Sequence, residues 1–480
     1  MILDKYLIDS KEERSVKFKI RLSILFLACV LTGCSLPLEN KQQNFEGEDR
    51  IDTLGLTPDF SYDVTEQLPC ILVNQLGYLP KESKVAVLQG NNLENCFFVY
   101  DAKTGEQVYR GTLGPDSLLE VKEENINSSE EIKKENYLAD FSSVEKAGTY
   151  YLYQPDLGYS YQFKIEENLY DEIEKKLLSI LEKQENDTSL ICYQLTCLLF
   201  TKELYPGNLL EEERLDKLCR QKIEYLMQAQ DKKTGSVYAD IGVVNSLKDL
   251  DATSKQQYVS LAATAEFAGV MAKYAYLTGN TDVTFSNQCW QMAEKAYSSI
   301  QNSLDNVGYD AGYFAATHLY RLTGRGKYSR AIQQYMSMKE EQKSYTEYDF
   351  SLFGDYAYIT LKKGTQIELG ESLMKKIMSR AEEISLSSGR NNYYVSEKRE
   401  YNDIDGKLRD MSNMALVNYV ITNHEYSSLL KNYRDYLMGR NKDNLCFFNG
   451  IGMRNPEEEQ AGIDEMNGGL FYLLLQAAKI

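Results

Sequence analysis

The residue types best suited to proton transfer gather near the end of the chain. The stretch NPEEEQAGIDEMNGG, Asn455–Gly469, places five acidic residues within fifteen positions, just ahead of the apolar run LFYLLLQAAKI. A carboxyl works as a general acid or base when burial or neighbours move its pKa towards the working pH. Left in water, the same acids are only a solvated loop. Other chemistries have less to draw on. The two histidines, His318 and His424, fall within helical patterns, which argues against a two-histidine zinc site. Beyond Cys29 and Cys34 come Cys70, Cys96, Cys192, Cys197, Cys219, Cys289 and Cys446, odd in number and without C-x-x-C spacing, so they read mostly as small buried apolar side chains. NDIDGKLRD, Asn402–Asp410, has part of a calcium-loop pattern but lacks its regular oxygen ligands and closing Glu. Neither a metal nor a cofactor is expected.

The elements that must position these acids fall into two regimes. From Cys70 the apolar period is two: KVAVL (84–88), CFFVY (96–100), TYYLY (149–153) and YSYQFKI (159–165) are β-branched and aromatic, and are separated by the turn signals KTGE, EKAG and PDLG. Several short strands in about a hundred residues suggest a β-sandwich. After Glu167 the period becomes helical and stays so. SLAATAEFAGVMAKYAYLTG sets Phe267, Val270, Met271, Tyr274 and Leu277 on one stripe with Gly279 as a stop, and YFAATHLYRLTG repeats the scheme to Gly324. Helix pairs at that interval suggest a solenoid or a closed ring of hairpins.

Composition and the N-terminus bound the partners. With 480 residues, 43% hydrophobic residues and 37 Tyr, the chain has the makings of a packed multidomain protein. A net charge of -18 without a basic stripe argues against nucleic acid. Lys17, Lys19 and Arg21 precede the apolar run LSILFLACVL, and LTGC ends at Cys34; this order reads as a secretory signal, too short to span a bilayer. LTGC resembles a bacterial lipobox, which implies a lipid on Cys34 and a membrane-anchored cell-surface lipoprotein. The expected organisation is a signal peptide over 1–34, a polar tether over 35–68, a β-sandwich over 69–166 and a helical domain over 167–480.

Five segments in order carry a family resemblance. ILVNQLGYLPKESKVAVLQG (71–90), with ADFSSVEKAGTYYLY, resembles the immunoglobulin-like module that precedes the catalytic domain in glycoside hydrolase family 9. AATAEFAGVMA (262–272), FAATHLYRLTG, DMSN (410–413) and DYLMGRN (435–441) resemble segments of that catalytic domain. The resemblance implies an immunoglobulin-like β-sandwich followed by an all-α (α/α)6 barrel, with a polysaccharide as partner. It also implies hydrolysis of β-1,4-glucan with inversion, in which one carboxylate activates water and a protonated carboxyl serves the leaving oxygen.

Three functional segments of the family differ here. Its D-A-G-D motif is replaced by QENDTS, where Asp187 is the one acid. DAG at Asp310–Gly312 lies in a later helix-leading segment. The H-H-R loop is missing after NGIGMRNP. At the family's catalytic acid, aligning on Asn467 gives Ala461 and aligning on Ile463 gives Gln460, so Glu459 and Glu465 are the nearest substitutes. The candidate catalytic set is Asp187 with Glu459 or Glu465. Tyr309, Tyr313, Tyr393 and Tyr394 are candidate sugar-stacking residues in place of tryptophan, since the lone Trp290 reads as a packing residue. Two readings stay open: a surface hydrolase with impaired catalysis, and a non-catalytic glycan-binding or partner-binding scaffold.

Overall fold

The computed structural model describes residues 68–114, 136–303, 306–361, 364, 366–396, 403–457 and 462–479. The expected signal peptide, the expected tether up to residue 67, Cys34 and Glu459 lie outside the described residues. The period-two segment folds into two sheets. One has the order β1 (Ile71–Leu72), β3 (Val85–Gln89), β6 (Asn136–Asp140). The other runs β2 (Gly77–Tyr78), β9 (Phe163–Ile165), β7 (Gly148–Gln154), β4 (Phe97–Asp101), β5 (Gln107–Gly111), with β8 (Gly158–Tyr159) on β7. Alternate residues such as Val87, Val99, Leu152 and Phe163 are buried, as alternation on a half-buried strand requires. YSYQFKI is not one strand: Ser160 turns its hydroxyl to the Leu152 N–H and the Tyr161 carbonyl, so the segment splits into β8 and β9.

From Asp171 onward, twelve of the described helices alternate between an outer and an inner layer. The outer ones are α1 (Asp171–Leu181), α3 (Glu212–Leu226), α6 (Val283–Ile300), α8 (Gly326–Ser337), α10 (Ile367–Ser388) and α12 (Ser427–Leu437). The inner ones are α2 (Thr188–Leu204), α5 (Leu261–Thr278), α7 (Tyr309–Thr323), α9 (Ser351–Ile359), α11 (Ile404–Val420) and α13 (Gly468–Ala477), and α4 is the short Ala252–Gln256. The inner helices pack in the cyclic order α2, α5, α7, α9, α11, α13 and back to α2, which closes the ring. The expected sandwich and (α/α)6 barrel are therefore both present.

Burial separates the layers. Outer α10 buries Leu373, Ile377, Ala381 and Ile384, one stripe at helical spacing. Inner α5 is buried on all sides from Ala263 to Ala275, so the single stripe expected there is replaced by a helix surrounded by protein. Small residues make that possible: a Cβ on Gly269 of α5 would collide with the Phe314 ring of α7.

Sandwich and ring meet through the NQLGY segment. Asn74 Nδ2 donates to Asp435 Oδ1 at 2.9 Å, and Gln75 Nε2 donates to the Asn444 carbonyl at 2.7 Å. Arg434, 1% exposed, donates to Glu82 at 3.1 Å and to Asp435 at 2.8 Å, and its guanidinium lies over Tyr170. Gly439 has φ +123°, and a Cβ there would lie 2.7 Å from Gln75, so glycine is required by both conformation and space.

Candidate active site

The N-termini of the inner helices share one end of the ring, and contacts between their leading segments trace it. Asp187 pairs by a backbone bridge with Asp240 ahead of α5. Asp310, in the first turn of α7, accepts from the N–H groups of Thr346 (2.8 Å) and Phe350 (3.0 Å) and from the Thr346 hydroxyl, all ahead of α9. Asn467, ahead of α13, donates to Asp405 of α11 at 3.4 Å. Helix N-termini carry partial positive charge, which favours carboxylates at this end.

A tyrosine pair lies at the same end of the ring. Tyr348 stacks on Tyr193 of α2 with ring centres 5.1 Å apart and 25° between planes. Burial pushes the Tyr348 hydroxyl up, and the negative field of Glu347, Asp187, Glu266 and Asp464 adds to it. Three of them differ in character. Asp187 is exposed and caps α2, accepting from the Leu190 N–H at 2.8 Å. Asp464 is half-buried; burial raises its carboxyl above the usual range, against the Met466 and Asn467 N–H groups that bind Oδ1. Glu266 of α5 is fully buried, and burial pushes its pKa up to about 8 against the bonds it receives from Ser189 and Thr346. An exposed carboxylate and a partly buried, protonation-prone one are the two kinds of group that acid–base hydrolysis uses.

The other sequence candidates have different settings. Glu465 is ion-paired with Lys183, which holds its carboxyl below the usual range, so it is poorly suited to donate a proton. Tyr313 is fully buried against Tyr309, which is 5% exposed; both are core residues in this structure, because their helix α7 is surrounded on every side. Tyr393 accepts from Gln89 of the sandwich at 2.7 Å, and its neighbour Tyr394, at φ +54°, shares that loop. Asp310 of the DAG string staples the loop ahead of α9. Asp403 caps α11 through Gly406, so the segment with the partial calcium-loop pattern forms the start of a helix. Trp290 is partly buried in the ring packing beneath Arg325.

Sequence reasoning missed Tyr193, Tyr348, Glu266 and Asp464. Asp464 stood in the acidic stretch from the start, but its reciprocal bonds with Asn467 look like a helix cap. Tyr348 had only the aromatic and acidic run YTEYDF to single it out.

Comparison with known proteins adds ancestry to this geometry. A family model described as glycosyl hydrolase family 9 matches residues 188–462, and one described as a cellulase N-terminal ig-like domain matches residues 66–158. Endoglucanase D of Acetivibrio thermocellus is 22% identical over 510 aligned residues, covering 87% of this chain and 78% of the relative. A xyloglucan-specific endo-beta-1,4-glucanase of Bacteroides ovatus is 22% identical over 497 residues, covering 81% of each. The fold of a metagenome-derived glycoside hydrolase family 9 endoglucanase matches with a TM-score of 0.66 at 17% identity, over 85% of this chain and 99% of that one. Because the hydrolase model spans more than half of the sequence and the ring of inner helices closes as described, the chain belongs to glycosyl hydrolase family 9.

Proposed function

We propose that the protein hydrolyses β-1,4-glucan laid across the Tyr348–Tyr193 platform, with Asp187 activating water and Asp464 protonating the leaving oxygen. The placing of Asp187 and Asp464 ahead of the neighbouring inner helices α2 and α13, at the end of the ring where Tyr348 stacks on Tyr193, supports this reading. The platform offers aromatic area for a sugar face at low entropic cost. Turnover is slow in this reading, because one oxygen of Asp464 is held by the Met466 and Asn467 N–H groups in the turn ahead of α13. The test is release of reducing ends from a soluble β-1,4-glucan, with Asp187→Asn and Asp464→Asn each reducing it by about a hundredfold or more.

The Lys183–Glu465 ion pair and the engagement of the Asp464 carboxyl in the turn ahead of α13 favour a second reading, a glycan-binding scaffold without turnover. Retarded migration of the wild type in glucan-containing gels, with no reducing ends released, decides for it. We infer also that Cys34 carries a lipid that anchors the protein at the bacterial surface, supported by the LTGC segment after the apolar run. Release of the protein into the medium on Cys34→Ala is the expected outcome.

A further inference from the structure

A cavity of about 590 Å³ lies in the outer wall of the ring, between the segment that follows α1 and the helix α3. That size falls within the range of small-ligand sites. Arg214, Lys217, Leu218, Gln221, Lys222 and Tyr225 recur at helical spacing, so one face of α3 forms a whole side of it. Buried Ile191 lines it from α2. Tyr193, two positions further on, projects about 200° away around the same helix. The cavity and the tyrosine platform are therefore on opposite sides of α2, and neither Tyr193 nor Tyr348 lines the cavity.

The lining is cationic in an acidic protein. Lys183, Arg214, Lys217 and Lys222 stand there against Glu182 and Glu185, although the chain carries -18. Two of the cations are engaged: Lys183 by Glu465, and Arg214 by Glu182 at 2.7 Å and Glu211 at 2.8 Å. Lys222 differs from them. It is 8% exposed, its Nζ donates to the Gln194 side-chain oxygen at 2.8 Å, and it makes no ion pair among the described residues. Gln194 is itself fixed by donating to the Glu465 carbonyl at 2.8 Å, so the amine is held in place at the wall. Burial lowers the Lys222 pKa to about 8, with the field of Glu185 acting the other way, which leaves a mostly protonated ammonium at pH 7 beside a neutral amide. A buried charge so placed is stabilised by a counter-ion. Exposed Lys217 adds positive field on the same face of α3.

We propose that this cavity binds a sugar acid, with the carboxylate at Lys222 and Lys217 and the hydroxyls on Gln184, Gln221 and Tyr225. One carboxylate matches one buried ammonium, whereas further negative charge would meet Glu182 and Glu185. The amide and phenol groups of the wall can each donate or accept, and Ile191 and Leu218 offer apolar surface to a carbon frame. Tyr225 already donates to Asn186 at 2.7 Å, so its oxygen is left to accept. This second site stands whether or not the platform holds a glucan.

The test is calorimetric titration of the full chain with glucuronate, with glucose as the uncharged control and inorganic phosphate as the anion without a carbon frame. Glucuronate is expected to bind with a Kd about tenfold or more below either control, because hydrogen bonds to a buried ammonium are charge-assisted. Lys222→Met is expected to raise that Kd about tenfold or more. Lys217→Glu, at an exposed position, is expected to raise it about fivefold at an unchanged thermal midpoint, which keeps the test open if the buried substitution disturbs folding. A saturating soluble β-1,4-glucan is expected to leave the glucuronate Kd unchanged. Glucuronate binding no tighter than glucose, phosphate binding as tightly as glucuronate, or a Kd that neither variant moves overturns the proposal. Displacement of glucuronate by the glucan assigns it to the platform and overturns the proposal as well, while leaving the hydrolase reading intact.

Discussion

Asp187 has two duties that substitution separates. Its carboxylate caps α2 and, in the proposed mechanism, activates water. Asparagine caps a helix about as well as aspartate but is no base. Asp187→Asn is therefore expected to keep the thermal midpoint while abolishing reducing-end release, whereas Asp187→Ala loses about 1 kcal/mol of stability as well. Glu266 gives a prediction of opposite kind. Its folded pKa of about 8 stands above the ordinary 4.5, so the folded state holds a proton that the unfolded chain releases. Stability is thereby lost as pH rises from about 4.5 to 8, with a penalty on the order of 3 kcal/mol at pH 7. Denaturant titrations should show wild type falling relative to Glu266→Gln across that window, and the gap between them closing below pH 4.5. Parallel profiles would show that burial has no such hold on this carboxyl.

The inner helices explain how much of the architecture was legible. Helical period, terminal glycines and five family segments gave the sandwich and the ring, because those signals are local. The site was less legible because it is built across elements. Tyr348 precedes α9, Tyr193 is on α2, Asp464 precedes α13 and Glu266 lies five residues into α5. A one-stripe reading of α5 and α7 leaves out the burial of most of each helix on all sides, and Tyr309 and Tyr313, candidates for sugar stacking, belong to the core. The same burial makes the α5–α7 contact intolerant of added volume. Gly269→Ala must displace the Phe314 ring and is expected to cost about 1–3 kcal/mol, read as a lowered denaturant midpoint at unchanged slope. A neutral outcome would mean that the ring can move aside.

The molecule as a whole is joined by a buried charge cluster. Arg434 is enclosed by Glu82 from the sandwich, Asp435 from its own helix and the Tyr170 ring. Removing one partner from such a group leaves the others uncompensated, typically at about 3–5 kcal/mol. Arg434→Ala is therefore expected to lower the calorimetric midpoint and to split one transition into two, as sandwich and ring lose their coupling. A single unshifted transition would assign the coupling to the Gln75 and Asn74 bonds instead. Charge is also buried towards the C-terminal ends of the inner helices, where Glu203 of α2 holds Lys273 of α5 and Arg321 of α7, with Lys273 lying 3.4 Å from the centre of the Phe200 ring. That plug makes the ring a cup rather than a tube. In the proposed reaction a glucan settles from above, across the rim, and both fragments depart by the way the intact strand arrived.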